Sequence, residues 1–200
     1  MIDNSLLTIK NLERAYSNMG FSLNKDGFVN ICGIRTKGGE FNDIFMYFKY
    51  SEGIPIFLPA ILGTTEPGSY YLGGHLGNPE GTAVLIHDRQ YIDCWVGGYH
   101  HTQEALVQSQ KAKFAVWRDS NKNGIINYGS KEYHDVGGLN NHTTKEGYVR
   151  DFVYNWSAGC QVIWNEPSFE HTIIPFCKGT GQKYFSYALF YDETFEKVVK

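Results

Sequence analysis

The stretch Gly27-Phe28-Val29-Asn30-Ile31-Cys32-Gly33-Ile34-Arg35-Thr36, a break at Lys37-Gly38-Gly39-Glu40, and then Asp43-Ile44-Phe45-Met46-Tyr47-Phe48-Lys49-Tyr50 decides the fold class. Its apolar residues are largely β-branched or aromatic, come in short runs, and are punctuated by Gly, Asn and Asp. That texture predicts strands near 28–36 and 43–50, and it continues down the chain. Further strands are expected near 55–59, 83–87, 90–97, 104–109, 112–118, 125–128, 138–143, 160–164 and 183–191. Segments 64–80 and 129–147 read as loops.

Before this β region, Asp3 to Met19 carries Leu6, Leu7, Leu12, Ala15, Tyr16 and Met19 near helical spacing. Asn4 or Asp3 could cap its start and Gly20 could stop it. A second helix is expected to start at Asn165-Glu166-Pro167-Ser168 and to be kinked or ended by Pro175. The chain thus divides into an N-terminal helix, 1–22, packed on a mainly β domain, 23–200.

The 200 residues are enough to bury a core without cross-links. A net charge of −3 argues against nucleic acid as a partner, since phosphate contacts need a concentrated Lys/Arg surface. The cysteines Cys32, Cys94, Cys160 and Cys177 form no C-x-x-C pair, so zinc-ribbon and thioredoxin-type readings have no support. Cys32, Cys94 and Cys177 read as core residues. The start, Met1-Ile2-Asp3-Asn4, lacks a basic n-region, and no stretch is apolar enough to insert in a membrane. Synthesis in the cytoplasm without a signal peptide is therefore expected.

The chemistry concentrates in Ser157-Ala158-Gly159-Cys160, with His142 eighteen positions before the cysteine. A cysteine directly after glycine reads as a nucleophile on a tight turn, because glycine lets backbone N–H groups face the sulfur. A histidine could deprotonate the thiol and then protonate a leaving amine.

This His142…Ser157-x-Gly159-Cys160 arrangement resembles the active-site motif of L,D-transpeptidase catalytic domains, in a divergent branch found in phages and bacteria. The resemblance implies a β-sandwich acting on the stem peptides of peptidoglycan. It implies Cys160 as nucleophile, His142 as base, Gly159 and Cys160 as oxyanion N–H donors, and Ser157 as a brace for the turn. An imidazolium nearby would lower the thiol's pKa. The motif departs from the family at Ala158, Thr143 and the residues after Cys160. The Thr65-Glu66-Pro67-Gly68 loop and the Gly98-Tyr99-His100 turn extend the likeness.

Around that pair, Asn141, Trp156, His100 and Tyr99 are the expected substrate contacts, with Asn140, Tyr70, Tyr71 and Trp95 as further candidates. His100 and His101 are adjacent, so on a strand they point apart and are poor joint ligands for zinc. Asp119, Asn121, Asn123 and Asn127 alternate around Gly124 like the first half of a calcium loop. A plain hairpin turn at Asn123-Gly124 fits the same residues. No cofactor is required for catalysis, and a calcium ion would be structural.

Two functions follow. One is a cysteine-dependent acyl transferase or hydrolase of stem peptides acting at the cell wall, such as a phage lysin or a wall enzyme carried with phage virion proteins. The other is a non-catalytic virion structural or wall-binding module on the same fold.

Overall fold

The computed structural model describes residues 2–75, 78–129, 131–134, 136–145, 149 and 151–200. Strands β1 (Asn30–Arg35) and β2 (Asp43–Ser51) pair antiparallel, with Ile31 opposite Tyr47 and Gly33 opposite Phe45. Alternation sends Ile31, Phe45 and Tyr47 to one core, and Cys32, Ile34, Ile44, Met46 and Phe48 to another. Burial on both faces is why the two runs are almost continuously apolar.

The remaining strands are β3 (Ile54–Phe57), β4 (Ile61–Thr64), β5 (Thr82–Leu85), β6 (Arg89–His100), β7 (Gln103–Gln108) and β8 (Ala115–Asp119). Then come β9 (Glu132–His134), β10 (Asn141–Thr143), β11 (Gln161–Ile163) and β12 (Phe185–Tyr191). Neighbours run β1-β12-β6-β7-β10-β11-β4-β2, and β2 pairs back onto β1. The main sheet therefore closes into an eight-stranded barrel, where a sandwich was expected. Closure depends on β1 pairing in parallel with β12, the most distant strand in the chain. That pairing removes the free edges a sandwich would leave. Strand β3 extends from β2 outside the ring, and β5-β8-β9 form a separate antiparallel sheet.

The barrel interior is filled by aromatic side chains. Tyr187 lies against Phe45 and Trp95, and its ring occupies the space beside Gly33 where a Cβ would overlap it. Its hydroxyl donates to Gln161 Oε1 at 2.9 Å, and the Trp95 indole donates to the Leu139 carbonyl at 2.9 Å. These bonds satisfy polar tips that burial would otherwise leave unpaired. The small sheet adds Val84, Leu85, Val116 and Trp117 to the same core.

Helix α1 (Ile9–Met19) starts later than expected. Thr8 is its cap, accepting the Asn11 N–H, while Asp3 caps a 3₁₀ turn at Asn4–Leu6. Gly20, at φ +68°, ends it as expected. Leu12, Ala15 and Tyr16 of α1 pack with Phe195 and Val199 of α4 (Asp192–Val199) over the outer face of β1, β2 and β12. Each such fully buried large side chain contributes about 1.5–3 kcal/mol. A π-helical turn covers Tyr71–His75, inside the expected loop 64–80, and a longer helical run joins α2 (Glu166–Ser168), a π segment (Phe169–Ile173) and α3 (Ile174–Lys178), capped by Asn165. Pro175 lies inside this run without ending it, because the π segment already breaks the regular bonding ladder there.

Residues 125–128 are not a strand; β8 pairs instead with β9, so the hairpin loop is longer than the Asn123-Gly124 turn. Strands β4 and β9 and helix α4 have no counterpart in the sequence reading. All four cysteines are free and buried. No helix among the described residues is long and apolar enough to cross a membrane.

Candidate active site

The turn before β11 is built around Ser157 and Gly159. Gly159 sits at φ +128°, and a Cβ there would come within 2.6 Å of the Ala83 carbonyl oxygen, so only glycine fits. The fully buried Ser157 hydroxyl accepts from Gly159 N–H at 3.1 Å and donates to the Cys160 carbonyl at 2.8 Å. The Ser157 carbonyl in turn accepts the Gly68 N–H at 2.9 Å, tying the turn to the loop after β4. Cys160 is thereby held at the entry to β11.

Strands β10 and β11 run parallel, with Asn141 opposite Gln161 and His142 opposite Val162. Alternation then sets Cys160, Val162 and His142 on one face, directed out of the barrel, and Asn141 and Gln161 on the inner one. Diagonal neighbours on such a face lie roughly 7–8 Å apart between Cα atoms. No hydrogen bond joins the two side chains. His142 Nδ1 is 2.8 Å from the Thr143 carbonyl. A carbonyl only accepts, so Nδ1 carries the proton and Nε2 keeps its lone pair. Nε2 has no hydrogen-bond partner among the described residues. The tautomer follows from this contact.

Both groups are neutral. Burial, then the neighbouring His100, pushes the His142 pKa down to about 3. Burial raises the Cys160 thiol, opposed by the Asn140 N–H, whose nitrogen is 3.5 Å from Sγ. The Cys160 thiol also points toward the Gly138 carbonyl at 3.3 Å. The expected imidazolium-activated thiolate is therefore corrected: two groups only 8% and 5% exposed lose more from desolvation than an ion pair without contact returns.

His100 lies on the same outer face. Its ring stacks on His142 with centroids 4.1 Å apart, and its Nδ1 accepts from Asn140 Nδ2 at 3.1 Å. The Asn140 orientation is set by Gln108 N–H, which donates to Oδ1 at 2.9 Å. His100 is thus beside the pair. Trp156 packs against the Cys160–Val162 cluster and is also near.

Four expected roles are corrected. Asn141 is fully buried inside the barrel, accepting from the Tyr47 hydroxyl at 2.8 Å and donating to the Gln161 carbonyl, so it cannot meet a substrate. Tyr99 alternates with His100 and therefore projects on the opposite face, where it reaches Glu104. Gly159 N–H, expected as an oxyanion donor, is instead given to Ser157 at 3.1 Å. Trp95 is likewise a core residue rather than a platform.

A cavity of about 310 Å³ opens on Cys160 and is lined by Asn78, Ala83, Arg118, Leu139 and Ala158. Ala83 and Arg118 come from the separate sheet, and nothing in the sequence spacing links them to Cys160. In the Asp119 loop, the oxygens of Asp119, Asn121 and Asn123 each accept a backbone N–H two residues on, and Asn127 donates to Asp119 Oδ2. The loop is closed by its own amides, and Ser130, its twelfth position, lies outside the described residues. No cluster of three His, Cys, Asp or Glu residues able to hold a metal occurs among the described residues.

Compared with known proteins, the chain matches no family model, no curated protein and no solved structure.

Proposed function

We propose that the protein is a cysteine-dependent acyl transferase or hydrolase of peptidoglycan stem peptides, similar in chemistry to L,D-transpeptidases and acting at the cell wall. The observation that carries this reading is the pairing of β10 with β11. It puts Cys160 and an Nδ1-protonated His142 on one outer face, with the Nε2 lone pair as the base.

The reaction begins with both side chains neutral. As Sγ bonds to the substrate carbonyl carbon, its proton passes to His142 Nε2. The carbonyl oxygen becomes an oxyanion facing the Cys160 N–H, and a donor of this kind contributes about 3–4 kcal/mol to the transition state. Collapse breaks the C–N bond, and His142 returns the proton to the leaving amine. Water or an amine then attacks the thioester, losing its proton to His142, and releases the thiol. A substrate covering the site would deliver the carbonyl through the cavity over Cys160.

The alternative is a non-catalytic virion or wall-binding module. One observation favours it: the thiol and the imidazole share no hydrogen bond, and burial disfavours the charged form of each.

Digestion of purified stem peptides by wild type and Cys160→Ala, read by mass spectrometry, separates the two. Loss of a terminal residue, or a new cross-link, with wild type alone establishes the enzyme. An unchanged peptide set from every stem type establishes the module.

A further inference from the structure

A second cavity, of about 330 Å³, lies over Glu66 and has no part in the cysteine chemistry. Glu66 is 1% exposed. Its Oε1 faces inward, accepting from the Tyr128 hydroxyl and lying 3.5 Å from Arg35 Nε. Its Oε2 has no hydrogen-bond partner among the described residues and lies on the cavity side. A Cβ built at Gly39, which lines the cavity, would meet Oε2 first, at 3.6 Å. Glycine at 39 thus leaves that oxygen uncovered.

The charges around this oxygen do not balance. Arg35 is fully buried, and its guanidinium donates to Thr65 Oγ1 at 2.8 Å, to the Thr65 carbonyl at 2.6 Å and to the Leu85 carbonyl at 2.8 Å. Asp43 is the second buried carboxylate, accepting from Thr36 N–H, Thr65 N–H and the Thr65 hydroxyl. One guanidinium therefore faces two carboxyl groups. Burial and the neighbouring Asp43 raise the Glu66 pKa, so a proton stands in for the missing cation. Glu40 adds another carboxylate to the lining. Lys37, the cationic residue of the lining, is turned outward to Glu193 at 2.6 Å. Leu72, Ile125 and Ile126 supply an apolar wall.

We propose that this cavity binds a primary alkylammonium group, its nitrogen donating to Glu66 Oε2 and its methylene stem lying along Leu72, Ile125 and Ile126. A volume of this size is in the range of small-molecule sites. Binding replaces the proton on Glu66 with the ligand's cation, so binding releases protons. The inference stands independently of the cysteine chemistry.

The test is calorimetric titration of the full chain at neutral pH with n-pentylamine, and with 1-pentanol as its neutral isostere. Buffers of different protonation enthalpy count the protons released. The expected result is binding of the amine with proton release, no binding of the alcohol, and about tenfold weaker amine binding to Glu66→Gln. Glutamine keeps the shape of the protonated acid. Ile125→Trp, at a position 66% exposed, narrows the mouth without touching the core and should weaken binding even if Glu66→Gln fails to fold. Equal binding of alcohol and amine, unchanged affinity in the folded Glu66→Gln variant, or no binding of the amine to wild type each overturns the proposal.

Discussion

Lowering the pH should destabilise the protein through His142 by an amount the structure sets. In the unfolded chain this imidazole takes up a proton near its ordinary value of 6.5, whereas burial in the folded protein delays protonation to about 3. Unfolding therefore binds a proton anywhere between these values, and stability falls as pH falls through that window. Above 6.5 both states are neutral and His142 contributes no slope. Each unit is worth about 1.4 kcal/mol, so pH 5 costs about 2 kcal/mol relative to pH 7. With a urea m-value of about 2 kcal/mol/M, the midpoint moves down by about 1 M. Glu66 acts in the opposite sense: its folded pKa is raised, so its contribution is lost as pH rises from the ordinary carboxylate range. The assay must isolate His142, which His142→Gln does by keeping a donor for the Thr143 carbonyl while removing the titration. Urea unfolding of both proteins at pH 7 and pH 5 should show the extra midpoint shift in wild type alone. Equal shifts in the two proteins would refute the reasoning, as would an imidazole titrating near 6.5 by NMR.

Gly33→Ala should cost about 1–3 kcal/mol in denaturant unfolding, because its Cβ overlaps the Tyr187 hydroxyl, and adding Tyr187→Phe should restore part of the loss. Ser157→Ala removes both hydrogen bonds that brace the Cys160 turn; a loss of about 1–3 kcal/mol and slower Cys160-dependent stem-peptide turnover are expected by chemical denaturation and product analysis. Arg35→Met leaves the Asp43 carboxylate buried without its cation, beside a Glu66 that already carries a proton, and should destabilise by about 3–5 kcal/mol, less at acidic pH where Asp43 is protonated too. Millimolar calcium should leave the thermal midpoint unchanged, since the Asp119 loop oxygens are already taken by amides; a concentration-dependent rise would restore the calcium-loop reading.

The strands were legible because each carries its own signal. The Gly27–Tyr50 stretch announces two strands through alternation and β-branched or aromatic content, and Gly20 marks a helix end through its left-handed backbone. The helix start is not legible, because Asp3, Asn4 and Thr8 are all good caps and Asp3 is taken up by a 3₁₀ turn. Strand β4 is not legible, because its four residues, Ile61-Leu62-Gly63-Thr64, are too few to show a period. Ser157, Gly159 and Cys160 could be read as a braced turn, since the bracing bonds span only two or three residues.

What sequence alone determined is local: a mainly β chain, a helix before it, a turn that presents Cys160, and buried roles for Cys32, Cys94 and Cys177. Only the tertiary structure decided that β1 meets β12 and closes a barrel, that Asn141 faces inward, and that His100 stacks on His142. It also decided that the thiol and the imidazole are neutral, and that Glu66 lies uncovered at one oxygen beside Arg35. The physical reason is common to all of these. Backbone geometry and turn chemistry act between near neighbours, whereas strand pairing, burial and desolvation depend on groups brought together from distant parts of the chain.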